Sequence, residues 1–358
     1  MAKDPVASLT GAAPQSLGRV CAIVRQADPA AMDADRTDCL APLYPPATRR
    51  TMFFIGVSTG QSSIMRIFPP WAEALGLEAT LAGIDFPPDA PPARYREAVA
   101  FIKADPQSLG ALVTTHKINL LKAARDLFDE LDPLALRLGE VSCISKRATG
   151  LCGHAKDPIS VGCALDAIVE PGYWRRTGGE MLILGAGGAA MALTLFLHDR
   201  AKAGRDVPRK VTITALDDRG FEDLRGVHGR DGFAIAIEYA VTPVQAAADR
   251  LVDRLPAGSM VVNATGLGKD RPGSPLTSAA HFPRDGIAWD FNYRGDLEFL
   301  RQARAVENSR RLRVENGWAY FLHGWTRVIA EVFAVDIPTS GPRFDSLSQI
   351  AHEAAGHG

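Results

Sequence analysis

The stretch EMLILGAGGAAMALTLFL, residues 180–197, decides the fold. An apolar run, Met181–Leu184, leads without a break into Gly185, Ala186, Gly187, Gly188, Ala189 and Ala190, and then into a segment with the composition of a helix. A strand, a glycine turn and a helix in that order match G-x-G-x-x-[GA], the dinucleotide fingerprint. Gly185 allows the tight turn, Gly187 lets backbone approach a pyrophosphate, and Ala190 is small enough for the helix to lie close to the strand. The N–H groups that open the helix then point at phosphate, which makes Gly185, Ala186, Gly187, Gly188 and Ala189 candidate cofactor contacts. Without a ligand the same glycines would form an ordinary turn; the strand and helix that flank them favour the cofactor.

Just beyond, the strand-like run KVTITALDDRG (210–220) ends in Asp217 and Asp218, where a carboxylate would accept hydrogen bonds from an adenosine ribose. A carboxylate there repels a 2′-phosphate and favours NAD over NADP, although Arg219 alongside would suit a phosphate, and either aspartate would also serve as a strand-end cap. The acids lie more than the usual ~20 residues past the glycines, and the connection RAKAGRDVPRK (200–210) supplies the excess. Farther on, MVVNATGLGKD (260–270) sets Asn263 and Thr265 after another apolar strand, at a place where a loop forms the wall of a nicotinamide site; Asn-Ala-Thr-Gly is also a good turn.

The alternation extends in both directions. From TMFFIGVS onward, the runs MFFIGV, EATLAGIDF and LGALVT alternate with helical patterns such as YREAVAFIKAD and INLLKAARDLFDEL, and a second alternating series begins near residue 180. This predicts an α/β chain with two mostly parallel sheets and a cleft between them. The expected boundaries are an N-terminal extension at 1–50, a first α/β domain at 51–160, a Rossmann domain at 161–312, and C-terminal helices at 313–358. In the last, ENGWAYFLHGWTRVIAEVFAV (315–335) has apolar residues at helical spacing and is expected to return to the first domain.

Composition removes other classes. A formal net charge of -1, with Lys and Arg spread along the chain, offers no footprint for a phosphate backbone. No apolar run approaches the ~18–20 residues of a membrane span, and the first twenty residues lack the apolar core of a signal peptide, so a cytoplasmic protein is expected. The 5 cysteines are odd in number and lack C-x-x-C spacing, so reduced thiols and no metal site are expected.

In LGALVTTHKINLLKAARDLF (109–128), Lys117 stands where a strand-like run meets a helical one, and by itself it reads as a solvated charge. The order of segments over residues 52–335 changes that reading. GVSTGQSSI, LVTTHK, GEVSC, GHAKD, GAGGAA, NATGLG, DFNYRG and ENGWAYFLHG follow one another as do the segments of the shikimate/quinate dehydrogenase family, which the chain resembles. That family shows a glycine with Ser-x-Ser, then V-T-x-P-x-K, G-A-V-N-T, N-T-D, G-A-G-G-A, N-A-T-x-x-G, D-x-x-Y-x-P and a closing D-G helix with a glutamine. The resemblance implies an N-terminal α/β substrate-binding domain, a Rossmann NAD(P)-binding domain and a C-terminal helix that returns to the first domain. It also implies reversible hydride transfer between a nicotinamide and a secondary alcohol or ketone of a (cyclic) hydroxy carboxylic acid.

Residue by residue, the resemblance implies Lys117 and Asp157 as the catalytic pair, and Ser62 and Tyr293 as carboxylate contacts. The second serine falls on Ile64, with Ser63 beside it as a stand-in. Gly317 joins the cofactor contacts. Ser142 takes the place of the motif asparagine, Ala155 and Lys156 that of Asn-Thr, Thr115 that of the proline, and Gly324, next to His323, that of the glutamine. A lysine in a partly dehydrated cleft has a lowered pKa, and a neighbouring aspartate favours its charged form. Lys156 adds positive charge, either for Asp157 or for a second anionic group. His116 and His323 are candidates for proton transfer or for packing. A site that has lost amides discriminates less well for a polyhydroxylated ring, so a substrate other than shikimate is expected. The rivals are a genuine shikimate or quinate dehydrogenase and, from another class, a non-catalytic dinucleotide-binding sensor or scaffold. The expected partner is a small carboxylate, with the chain a monomer or homodimer.

Overall fold

Residues 44–269 and 271–356 are described by a computed structural model of the chain, and they build two six-stranded sheets. The first contains β1 (Thr51–Gly56), β2 (Thr80–Asp85), β3 (Ser108–Val113), β4 (Glu130–Leu131), β5 (Cys143–Arg147) and β6 (Gly150–His154), in the order β2-β1-β3-β5-β6-β4. β1 runs parallel to β2 and β3, while β5 is antiparallel to both β3 and β6. Every residue of β1 is buried, as suits an unbroken apolar run covered on both faces. The second sheet contains β7 (Met181–Leu184), β8 (Val211–Ala215), β9 (Ile237–Val241), β10 (Met260–Asn263), β11 (Ile287–Asp290) and β12 (Arg313–Glu315). It is parallel throughout, in the order β12-β11-β10-β7-β8-β9. β7 lies between β8 and β10, so the strand order reverses there and the carboxyl ends of β7 and β10 flank a crevice.

The expected α/β architecture is present, with two local differences, the antiparallel β5–β6 pair and a break in one expected helix. INLLKAARDLFDEL reads as one helix, but the helix Lys117–Ala124 gives way to a tight turn at Arg125–Leu127 and then to β4. Asp129 explains the break. Its carboxylate accepts hydrogen bonds from Lys103 Nζ at 3.0 Å and Leu151 N at 2.7 Å, while its own N–H donates to Leu151 O, which draws the chain onto β6.

One apolar core runs through both sheets, joining Phe53 and Ile144 of the first to Ile183 and Trp289 of the second by way of Val161 and Leu195. Helix Asp157–Ile168 lies against helix Gly188–Lys202 so closely that a Cβ on Gly162 would meet the Phe196 ring at 2.3 Å. The tail returns as the periodicity predicts: helix Trp318–Phe333 packs on β3 and β5, and helix Pro342–Ala355 on helix Ile64–Leu75. Trp71 Nε1 donates to Leu347 O at 2.8 Å across that last contact. Of the predicted N-terminal extension only residues 44–50 are described, where Tyr44 stacks on Phe101 and Ala47 N donates to Asp105 Oδ2 at 2.8 Å. Among the described residues, no helix is long and apolar enough to cross a membrane.

Candidate active site

β3 ends at Val113, and three residues later the chain turns into the helix that Lys117 opens. The turn is tight: Thr115 takes φ 46°, a left-handed conformation that a proline ring excludes, so the loop has its own shape where the family pattern has proline. His116 fixes it from inside. Its buried ring lies between Phe86 O, 3.2 Å from Nε2, and the Tyr95 hydroxyl, 2.9 Å from Nδ1, and burial lowers its pKa. His116 is therefore a packing residue of the turn.

With His116 turned inward, Lys117 faces the cleft. Its ammonium pairs with the carboxylate of Asp157, the first residue of helix Asp157–Ile168, where the N-terminal dipole favours a negative charge. Burial works against the Lys117 charge, but Asp157, Glu140 and the hydrogen bond to Asp157 outweigh it and leave the pKa above its ordinary value. Of the two opposing effects expected at Lys117, the neighbouring carboxylate prevails over burial. Two carboxylates near one ammonium overcome partial dehydration, and Lys117 is charged at neutral pH.

Across the cleft, the Tyr293 phenol meets the side chains of Ser62, Ser63 and Arg294, and its ring packs on Phe321 at 4.5 Å. Ser62 and Tyr293, with Ser63 beside them, are thus brought together, and Arg294 adds a guanidinium that the sequence reading did not name. Ser142 is buried, and its Oγ accepts the Lys156 N–H at 2.8 Å. Ser62, Lys117, Ser142, Asp157, Tyr293, Arg294 and Gly317 line one cleft of about 890 Å³, together with Lys269 and Arg271. Two expected contributors lie elsewhere. Lys156 Nζ donates to Glu331 Oε2 at 2.7 Å, and His323 is buried against Phe344, with ring centroids 4.6 Å apart.

The second sheet supplies the cofactor side. Gly185 has φ 105°, and a Cβ there would stand 2.9 Å from Ala264 O, so both conformation and the close approach of β10 require glycine. Around Gly187 the space is open, with no described atom beyond its own turn within 4 Å of a Cβ position. Helix Gly188–Lys202 starts there, while Ala190 is fully buried. Open backbone N–H groups at a helix start fit a dinucleotide pyrophosphate. A Cβ on Gly317 would overlap Phe291 O at 2.0 Å, which lets helix Trp318–Phe333 begin against the end of β11.

Asn263 and Thr265 shape this wall from within. Asn263 Nδ2 donates to Asp290 Oδ1 at 3.1 Å, and its Oδ1 accepts Thr265 N at 3.1 Å and Oγ1 at 2.7 Å. Their polar atoms are engaged in bracing the loop. At the end of β8, Asp218 forms a two-pronged pair with Arg225, both contacts at 2.7 Å. Asp217 accepts Gly220 N at 3.1 Å and lies 3.2 Å from Arg219.

No protein-family model matches the chain. A shikimate dehydrogenase (NADP(+)) of Methylocella silvestris is 31% identical over 286 residues, which cover 79% of this chain and 90% of that one. The chain belongs to the shikimate dehydrogenase family. It is an NAD(P)-dependent oxidoreductase of the shikimate dehydrogenase type. A shikimate dehydrogenase (NADP(+)) of Symbiobacterium thermophilum is 29% identical over 238 residues, 66% of this chain and 74% of that one. The fold is shared with shikimate 5-dehydrogenase of Thermus thermophilus in complex with NADP(H) and shikimate, at TM-score 0.61 and 24% identity, over 85% of this chain and 99% of that one. It is also shared with 5-ketofructose reductase of a Gluconobacter species, at TM-score 0.59 and 17% identity, over 85% and 98%.

Within this shikimate dehydrogenase frame, sequence reading missed Glu140, Arg294, Lys269 and Arg271. The first two carried a usable signal: each is a charged residue inside a segment quoted for other positions, GEVSC and DFNYRG.

Proposed function

We propose that the protein interconverts a secondary alcohol and a ketone of a hydroxy carboxylic acid other than shikimate, with NAD preferred. The observation that carries this reading is the Lys117–Asp157 pair facing, across one cleft, Ser62, Tyr293 and Arg294, with the buried Ser63 against the Tyr293 phenol. Tyr293, the two serines and the Arg294 guanidinium hold the substrate carboxylate, the guanidinium as a charge-assisted partner. Asp157 fixes Lys117, and the charged Lys117 donates a proton to the carbonyl oxygen during ketone reduction. When bound at the glycine turn, the nicotinamide cofactor supplies and accepts the hydride. Ser142 stands where the family pattern has asparagine, which removes an amide that would hydrogen-bond a ring hydroxyl; this supports a less hydroxylated substrate. The exposed Asp217 carboxylate at the end of β8 supports NAD by opposing a 2′-phosphate, even with Arg219 beside it.

Steady-state rates in both directions with shikimate, quinate and simple hydroxy acids, each with NAD and with NADP, test this reading. The highest kcat/KM is expected for a hydroxy acid other than shikimate, with NAD. High shikimate turnover would overturn the substrate assignment, and no change in nicotinamide absorbance with any acid would favour a binding protein.

A further inference from the structure

Gly324 lies inside helix Trp318–Phe333, at the position where the family pattern has glutamine. The two usual reasons for a glycine are absent there. Its φ is not left-handed, and no described atom beyond its own stretch of helix lies within 4 Å of the place a Cβ would occupy. Glycine inside a helix is less stable than alanine, so neither backbone conformation nor packing accounts for it. What the missing side chain leaves is room, and the room opens on the cleft, which Gly324 lines. Its walls are apolar. Phe321 and Val328 stand one turn to either side on the same helix face, Trp325 follows, and Phe54 of β1 and Leu112 of β3 line the same cleft from the sheet. Phe54 meets Trp325 edge to face with ring centroids 4.9 Å apart. Phe321 packs on Tyr293 at 4.5 Å, which sets the room beside the group assigned to the carboxylate. Polar neighbours on the helix turn to other partners, His323 to Phe344 and the Tyr320 ring to Phe291 at 5.0 Å.

We propose that Gly324 is a specificity-determining residue, and that the space over it takes an aryl or branched alkyl group carried by the hydroxy acid substrate. The inference rests on the alcohol–ketone reading above and names its substrate class. An aromatic ring in that space packs on Phe321 and Trp325 and leaves water, while the carboxylate of the same molecule reaches Tyr293 and Arg294. A ring that bears hydroxyls meets no side-chain amide at Gly324 and gives up hydrogen bonds to water on entering. The space that favours an apolar group therefore disfavours a polyhydroxylated ring.

The test compares kcat/KM for lactate, β-hydroxybutyrate and γ-hydroxyvalerate, each with and without a phenyl group on its terminal carbon. In the pair turned over best by the unaltered protein, the phenyl-bearing acid is expected to exceed its partner by about 10- to 100-fold, the worth of burying an aromatic ring. Gly324→Gln and Gly324→Leu fill the space with residues that favour a helix. Both are expected to bring that ratio to within about threefold of one. A ratio near one in the unaltered protein, or a phenyl preference that survives both substitutions, would overturn the proposal. Binding of β-phenylpropionate and of propionate, read by calorimetry in the presence of NADH, needs no turnover. The phenyl acid is expected to bind about 10- to 100-fold more tightly and to lose that advantage in Gly324→Leu; equal affinities in the unaltered protein would count against the subsite. If no hydroxy acid is turned over by the unaltered protein, the functional reading fails, while the two affinities still decide the part assigned to Gly324.

Discussion

Lys117 keeps its proton because the Asp157 and Glu140 carboxylates outweigh its burial, and that charge defines what the residue does. Lys117→Met keeps the length of the side chain and removes the proton. It is expected to lower kcat/KM by about 10²- to 10⁴-fold and to leave dinucleotide affinity, read by fluorescence titration, unchanged. Joint loss of both would mark Lys117 as structural. Arg294→Ala is expected to raise KM for a carboxylate substrate by about 10- to 100-fold, the worth of a hydrogen bond to a charged group, and to spare the corresponding amide. The places of Lys117, Asp157 and Tyr293 on the cleft were legible because each lies within a recognisable segment. His323 was misplaced by a rotation. Tyr320, Phe321, Gly324, Trp325 and Val328 line the cleft at helical spacing, and His323, one residue before Gly324, turns about 100° away onto Phe344. Glu140 stands where the pattern has alanine, and its charge acts on Lys117 only in the folded chain.

The elements themselves were largely written in periodicity. Each apolar run in the second series became a parallel strand, and the glycine turn fell at the point where strand order reverses. The antiparallel β5–β6 pair and the break before β4 were not legible, since the break depends on Asp129 finding Lys103 and Leu151 in the folded chain. The glycine turn makes the firmest forecast for an element. Gly185→Ala would place a Cβ in a left-handed conformation, costing about 1–2 kcal/mol, and also 2.9 Å from Ala264 O. Separation of β7 from the β10 loop should follow. The expected result is loss of dinucleotide binding in a titration, with helical content by circular dichroism retained; unchanged affinity would show that the turn does not hold the cofactor.

For the whole molecule, the continuous core through helices Asp157–Ile168 and Gly188–Lys202 ties cleft geometry to global stability, and a buried acid beside the cleft makes that stability depend on pH. Asp290 ends β11, fully buried; its Oδ1 accepts from Asn263 Nδ2 and from Asn292 N, while Oδ2 has no partner among the described residues. Burial pushes its carboxyl up to about 7 in spite of those hydrogen bonds. An unfolded aspartate ionises near 3.9, so between about pH 4 and 7 the folded chain holds a proton that the unfolded chain has lost. Stability from this group is therefore full below about pH 4 and declines as pH rises through 7, by roughly 4 kcal/mol in total. Asp290→Asn imitates the protonated acid at every pH: its Oδ1 still accepts, and its Nδ2 replaces the buried hydroxyl. Urea unfolding of both proteins at a series of pH values removes the titration of all other groups from the difference. That difference should be near zero at pH 4 and favour Asp290→Asn by an amount on the order of 4 kcal/mol at pH 8; a difference that does not vary with pH would mean that Asp290 ionises as readily in the folded chain as in the unfolded one.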